Sequence, residues 1–186
     1  MTVFKKDVNF VKEIPDMGKI VIFKWNPSFS SYNMYAFLRD LLECRYNATA
    51  LMDFNWSVHD YESVHNGDEF YWVKVGFGQT GIVGHGFVTS EPYEGEDWYG
   101  KGRQTFYVDF CPDVLLNPDA LELLTCAELD KAIPSFEWSR GHSGLVLNEN
   151  QAAALDLAWK VYLAEHEEEF EKKLKSDNDY LYMKKL

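Results

Sequence analysis

Two loop segments of this chain carry side chains that could recognise a planar ligand. They are Glu91–Arg103 and Phe136–Leu147, both rich in glycine, aromatic and polar residues. Indole rings stack on flat molecules, whereas hydroxyl, guanidinium and imidazole groups make directed hydrogen bonds to a ligand's edge. On loops, such groups are harder to explain by packing than in strands. The candidate ligand-binding residues on these loops are Trp98, Trp138, Ser139, Arg140 and His142.

Each of these indoles also has a packing alternative. Trp98 could cover the end of a barrel, and Trp138 could anchor the core or form a cation–π contact with Arg140. The chain has 13 Phe, 11 Tyr and 6 Trp residues. Because aromatic side chains mostly fill cores, only a few of them can contact a ligand.

Residue spacing gives little support to catalysis or metal binding. His142-Ser143 lacks the GxSxG pattern that presents a nucleophilic serine. His59 and His65 are six residues apart, which matches no common zinc spacing. His85 lies between two glycines and would need an orienting partner to act as a general base. We therefore predict no catalytic residue, no metal site and no cofactor, and binding is favoured over catalysis.

Composition limits the partners. The formal net charge of −12 opposes tight, sequence-independent binding to DNA, which relies on clustered Lys and Arg. A local basic groove stays possible, and its candidate residues are Lys24, Lys74, Lys101, Arg103 and Arg140. The three cysteines have no ligand-like spacing, and no apolar run is long enough for a signal core or a membrane span. These features predict a soluble, cytoplasmic protein with reduced thiols and no membrane association.

Four β-rich segments form the expected framework. They are Lys19–Trp25, Asp68–Val75, Thr80–Ser90 and Gln104–Cys111, which are rich in β-branched and aromatic residues and bounded by turn formers. The third segment contains Gly81, Gly84 and Gly86, which would leave part of the sheet without side chains. We expect a bent sheet with a ligand-sized hollow at these glycines.

Helices are predicted on both sides of this framework. Ser30 or Ser31 could cap a helix over about Tyr32–Arg45, and Asn117-Pro118-Asp119 has the pattern of a helix start. Thr125 and Glu128 have capping-box spacing. Asn148 and Gln151 begin the clearest helix, whose apolar stripe includes Leu155, Trp159, Tyr162, Leu163 and Phe170.

The order of short motifs resembles the EVE branch of the PUA-like superfamily. The motifs are the strand Lys19–Trp25, the stretch Phe37–Asp40, Gly67-Asp68 before a Tyr-rich strand, Gly81–Val88 (GIVGHGFV) and Pro92. The resemblance implies an α+β fold, with a curved, partly closed antiparallel β-barrel of five to six strands, flanking helices and a long C-terminal helix.

The resemblance also suggests a domain organisation. We expect residues 1–186 to form a single domain with a barrel core at 19–112. A helical insertion is expected at about 32–66, and 113–186 should form a helical extension packed on the barrel.

Domains of this kind hold a modified or flipped nucleobase in an aromatic pocket. The positions that match such a pocket are Trp25, Asn26, Tyr32, Asn33 and the strand through His85. Trp25 could also be a core residue at the end of a strand, Asn26 a turn former and His85 a structural histidine.

Three functions follow as hypotheses. The first is a non-catalytic module that binds a modified base of DNA or RNA, or a nucleotide-like small molecule. The second is an acidic protein-interaction protein or an antitoxin-like protein, either of which would bind a basic protein partner. The third is a hydrolase of modified nucleosides, which some PUA-like proteins are. It would need a pair such as Lys74 or His85 with Asp109 or Glu69.

Overall fold

The computed structural model describes residues 18–47, 54–177 and 179–184. In this part of the chain one eight-stranded sheet is accompanied by four α-helices. The strands are β1 (Ile20–Trp25), β2 (Phe54–Ser57), β3 (Glu69–Lys74), β4 (Gly81–Val88), β5 (Tyr93–Glu96), β6 (Gln104–Leu116), β7 (Leu145–Val146) and β8 (Leu181–Met183). The helices are α1 (Met34–Tyr46), α2 (Cys126–Ala132), α3 (Glu149–Glu165) and α4 (Glu167–Lys175), with a 3₁₀ turn at Tyr61–Ser63.

The sheet is curved and mixed. Its strand order is β2-β6-β4-β3-β1-β7, and both β5 and β8 also pair with β6. The predicted α+β class and curved sheet are confirmed. The sheet is larger than the predicted five to six strands and not wholly antiparallel, because β1 and β3 are parallel neighbours. Parallel neighbours need a crossover, which α1 and β2 supply here.

Two backbone hydrogen bonds link the two ends of the strand order. Beyond β2, the amide of His59 donates to Ser143 O (3.1 Å) and that of Asp60 donates to Gly144 O (2.9 Å). Gly144 has φ +73°, and a Cβ there would overlap Val58 Cα and lie 2.9 Å from His59 N. Glycine is therefore required at this seam for both its conformation and its lack of a side chain.

The hollow expected at the glycines of β4 does not exist. A Cβ on Gly81 would overlap the carbonyl of Leu124, and one on Gly86 would overlap the carbonyl of Cys111. At Gly84, a Cβ would lie 3.2 Å from Leu115 Cδ2. The chain's own atoms occupy this space, so this prediction was wrong. The glycines permit close backbone packing and leave no room for a ligand.

Capping explains several helix boundaries. The predicted boxes at Thr125–Glu128 and Asn148–Gln151 are both formed. Helix α1 is capped by Asn33, whose side chain accepts from Ala36 N, rather than by Ser30 or Ser31. Asn117-Pro118-Asp119 begins no helix, because Asn117 Oδ1 accepts from Asp119 N in a turn.

The second half of the chain contributes to the sheet as well as to the helices. Strand β6 continues to Leu116, and β7 and β8 add to opposite parts of the sheet. The predicted insertion at 32–66 contains α1, β2 and the 3₁₀ turn, while residues 48–53 lie outside the described part. No helix in the described residues is long and apolar enough to cross a membrane.

Alternating side chains fill the barrel interior with aromatic rings. Phe23, Phe70 and Phe110 pack on one another with ring centroids 4.7–5.4 Å apart. Residues two apart in a strand point to the same face, so Trp25 follows Phe23 and Trp72 follows Phe70 on the inner side. This second aromatic layer borders a cavity.

Candidate aromatic ligand site

A cavity of about 580 Å³ lies where β1 ends and opens towards solvent beside the β5–β6 hairpin. Four indoles contribute to its lining, together with Tyr32, Phe29 and several polar groups. Phe29 and Trp98 line it and are also 76% and 47% exposed, so they mark its mouth. The remaining lining side chains used below are Lys24, Trp25, Asn26, Arg39, Asp40, Trp56, Trp72 and Ser143.

Trp72 lies at the centre of the aromatic cluster. The Trp56 ring meets it edge-on at 5.0 Å and 71°, and the Trp25 ring is tilted at 5.6 Å and 41°. The Tyr32 ring lies nearly parallel to it at 5.5 Å and 23°. Trp25 and Trp72 are fully buried, as in the core alternative given for Trp25, so the rings of the cluster pack largely on one another.

The loop between β1 and α1 forms one wall of the cavity. Pro27 cannot continue the ladder of β1, so the chain turns at Asn26, whose carbonyl accepts from Phe29 N and Ser30 N. Trp25 Nε1 donates to Tyr32 O at 2.6 Å and ties the far end of the loop to the strand. The loop therefore places Phe29 and Tyr32 at the cavity.

A buried carboxylate holds Tyr32 in place. Tyr32 OH donates to Asp40 Oδ2 (2.9 Å), and Arg39 Nε donates to Asp40 Oδ1 (2.8 Å). Burial and the neighbouring Asp40 carboxylate raise the pKa of Tyr32 well above its usual range. The hydroxyl therefore stays protonated and acts as a donor.

Ser143 gives the cavity a directed polar group. Its Oγ accepts from Lys24 N (2.8 Å) and from Trp56 Nε1 (2.9 Å), so its own O–H is oriented to donate elsewhere. The Lys24 ammonium donates to the carbonyls of Glu137 and Arg140, and burial lowers its pKa. Lys24 thus fastens the loop that carries Ser143.

One polar atom of the cluster has no partner. Among the described residues, Trp72 Nε1 is the buried side-chain nitrogen for which no hydrogen bond is formed. A buried donor without an acceptor costs about 1–3 kcal/mol.

Four of the ten predicted site residues line this cavity: Trp25, Asn26, Tyr32 and Trp98. Asn33 instead caps α1. The other five lie elsewhere, and the reasons differ.

The segment around residue 140 lies mostly outside the cavity. Trp138 is fully buried, packs on Phe136 at 4.6 Å and donates from Nε1 to Ile133 O. Its core alternative is therefore the one observed. Ser139, Arg140 and His142 are exposed, and His142 stacks on His59 at 4.2 Å and 4°.

His85 belongs to a separate charged cluster. Its Nδ1 lies 2.6 Å from Asp113 Oδ1 and its Nε2 lies 2.6 Å from Glu69 Oε1, and its ring stacks on Trp159 of α3. The hydrolase pair of His85 and Glu69 therefore exists but lies away from the cavity. Lys74 instead donates to the carbonyls of Phe77 and Gln79.

Sequence reasoning missed several lining residues. Alternation along β3 could have placed Trp72 on the same inner face as Phe70. Asp40 and Ser143 gave no comparable signal. Their roles depend on partners 8 and 87 residues away in sequence, Tyr32 and Trp56.

No family model matches this sequence, and no curated protein matches it either. Solved structures give remote similarities. A hypothetical protein from Leishmania major has a TM-score of 0.49 at 12% identity, with 78% of this chain and 97% of that chain covered. The Mmi1 YTH domain, solved in complex with RNA, has a TM-score of 0.44 at 11% identity and coverages of 80% and 82%.

Human THYN1, solved in complex with 5-methylcytosine-containing DNA, has a TM-score of 0.39 at 15% identity. The similarity covers 63% of this chain and 77% of that one. At this level of similarity, function has to be argued from the cavity itself.

Proposed function

We propose that this protein is a non-catalytic, PUA-like binding module that holds a modified nucleobase or a nucleotide-like ligand in the aromatic cavity. One observation carries the proposal. Trp25, Tyr32, Trp56 and Trp72 converge around about 580 Å³ of space, with Trp98 at its mouth. A volume of this order suits a ligand the size of a nucleoside.

The polar groups of the cavity fit the edge of a base. Recognition of a base combines stacking with a few hydrogen bonds to its donors and acceptors. Ser143 offers a donor, and Asn26 offers an amide at the cavity wall. Asp40 is an acceptor whose charge is already balanced by Arg39, so it does not repel an uncharged ring.

The ionisable groups of the lining have structural roles, which favours binding over catalysis. Lys24 is held by two backbone carbonyls, and Asp40 is held by Tyr32 and Arg39. A general acid or base has to reach the reacting atom and exchange a proton with it. Groups already engaged in this way are poorly placed for that task.

The charge of the protein favours a ligand recognised through its base. A net charge of −12 gives little phosphate neutralisation, so affinity should come from stacking rather than from counterion release. This favours a nucleotide-like small molecule or a single exposed base of DNA or RNA over an extended duplex.

The proposal is tested by titrating the protein with nucleosides and following its indole fluorescence. The panel contains adenosine, cytidine, guanosine and uridine with their base-methylated forms. Trp98→Ala should weaken binding about 5- to 150-fold, because stacking contributes about 1–3 kcal/mol per base. Its matched control is Phe77→Ala, which removes a ring that is 91% exposed and does not line the cavity.

Both variants should keep the melting temperature of the parent, since both side chains are largely exposed. An unchanged affinity in Trp98→Ala, or an equal loss in both variants, would contradict the proposed site. Absence of binding across the whole panel at millimolar concentrations would contradict the ligand class.

A second candidate function, binding of a basic protein partner, is favoured by one surface. Leu157 and Val161 lie one turn apart on α3 and are 65% and 48% exposed. An adjoining groove between α2 and α3 includes Glu122, Glu128 and Glu165. An apolar strip beside carboxylates suits a basic amphipathic segment. This function is supported if a basic partner binds the protein at low salt, is released at high salt and does not bind the Leu157→Glu variant. Binding of the partner to Leu157→Glu would oppose it.

A further inference from the structure

The position of Tyr32 on Trp72 resembles that of a bound flat ligand. Among the described rings near Trp72, Tyr32 alone lies close to parallel with it, at 23°. The other five rings, those of Trp25, Phe37, Phe54, Trp56 and Phe110, meet it at 41–79°. The stacking face of Trp72 is therefore occupied by the protein's own tyrosine.

Tyr32 is held in a way that allows its ring to leave. It lies in the loop between β1 and α1, outside any regular element, and its side chain is only partly buried. Its backbone is fixed independently, because its carbonyl accepts from Trp25 Nε1 and its amide donates to Ser30 Oγ. Rotation of the side chain thus breaks the hydrogen bond to Asp40 and the ring contacts with the neighbouring indoles, and leaves the loop attached.

Departure of the ring would free the face of Trp72 and one oxygen of Asp40 for a ligand. Asp40 would lose the Tyr32 donor but keep Arg39, so one carboxylate oxygen could accept from the ligand. The Tyr32 ring therefore covers both the stacking face and the acceptor that a ligand would use.

We propose that Tyr32 is an internal placeholder, and that the ligand replaces its ring on Trp72 while presenting a donor to Asp40. This rests on the proposed function and narrows its ligand class to planar rings that carry a hydrogen-bond donor, as amino-substituted nucleobases do. The apparent affinity is then reduced by the fraction of molecules in which Tyr32 occupies the site.

The first test compares Tyr32→Ala, Tyr32→Phe and the control Tyr35→Ala in the nucleoside titration. A placeholder predicts about tenfold tighter binding in Tyr32→Ala and a smaller gain in Tyr32→Phe, which keeps the ring but loses the bond to Asp40. Tyr35 is 78% exposed and lies outside the cavity, so Tyr35→Ala should match the parent. If Tyr32→Ala binds more weakly and Tyr32→Phe binds as the parent does, Tyr32 is a fixed part of the cavity lining and the proposal is overturned.

The second test needs no ligand, so it separates failure of this inference from failure of the proposed function. Hydrogen exchange of the Trp72 Nε1–H is followed in ¹⁵N-labelled protein, with the signal assigned by Trp72→Phe. If the Tyr32 ring leaves transiently, the Trp72 Nε1–H should exchange at least tenfold faster than it would through global unfolding alone. The exchange rate should be higher still in Tyr32→Phe. Exchange only through global unfolding, at one rate in all variants, would refute the placeholder even if nucleosides bind.

Discussion

The buried cluster around His85 makes the stability of this protein depend on pH in a defined direction. Both ring nitrogens face carboxylates at 2.6 Å, Nδ1 towards Asp113 and Nε2 towards Glu69. Burial alone would lower the pKa of His85, but the hydrogen bonds to Asp113 and Glu69 outweigh burial and raise it to about 9. The imidazolium is therefore the folded-state form at neutral pH.

The size of the effect follows from thermodynamic linkage. A pKa of about 9 in the folded state, against an ordinary value of 6.5, corresponds to about 3 kcal/mol of stability. Because the folded pKa is the higher one, this stability is fully present below pH 6.5 and is lost as pH rises through 9. Between these values the free energy of unfolding should fall by about 1.4 kcal/mol per pH unit from His85 alone.

Urea unfolding of the parent and of His85→Gln between pH 6 and pH 10 measures this contribution. The parent should lose about 3 kcal/mol relative to the variant over this range. The control is His142→Gln, which removes an exposed histidine and should keep the parent's pH dependence. Parallel pH profiles for the parent and His85→Gln would refute the charged cluster.

Two further predictions concern the fold. Gly144→Ala should destabilise the protein by about 4 kcal/mol, since it adds backbone strain and overlap with Val58 at the barrel seam. Gly100 has φ +66° but open space around it, so Gly100→Ala should lower the free energy of unfolding by only about 1 kcal/mol. Equal losses for Gly144→Ala and Gly100→Ala in urea unfolding would contradict the close contact at Gly144. Asn148→Ala should lower stability by about 1 kcal/mol by removing the cap of α3, and a change below 0.3 kcal/mol would show that this cap contributes little.

Local sequence patterns determined the features that depend on neighbouring residues. Strand β1 follows from an apolar run ended by Asn26-Pro27, and the capping boxes at Thr125 and Asn148 follow from side chains three residues apart. Trp25 and Tyr32 reach the cavity because that turn brings the strand end and the start of α1 together.

Tertiary structure decided everything that depends on distant partners. Glycines in β4 can mark either a hollow or a close approach, and only the paired strand, with the Cys111 carbonyl packed against Gly86, distinguishes the two. Likewise, burial of Trp138 depends on the elements that surround it. The seam at Gly144 and the role of Ser143 join segments more than 80 residues apart. A local pattern specifies backbone conformation and side-chain direction, but a cavity is the space left after all elements have packed, so no single stretch of sequence encodes it.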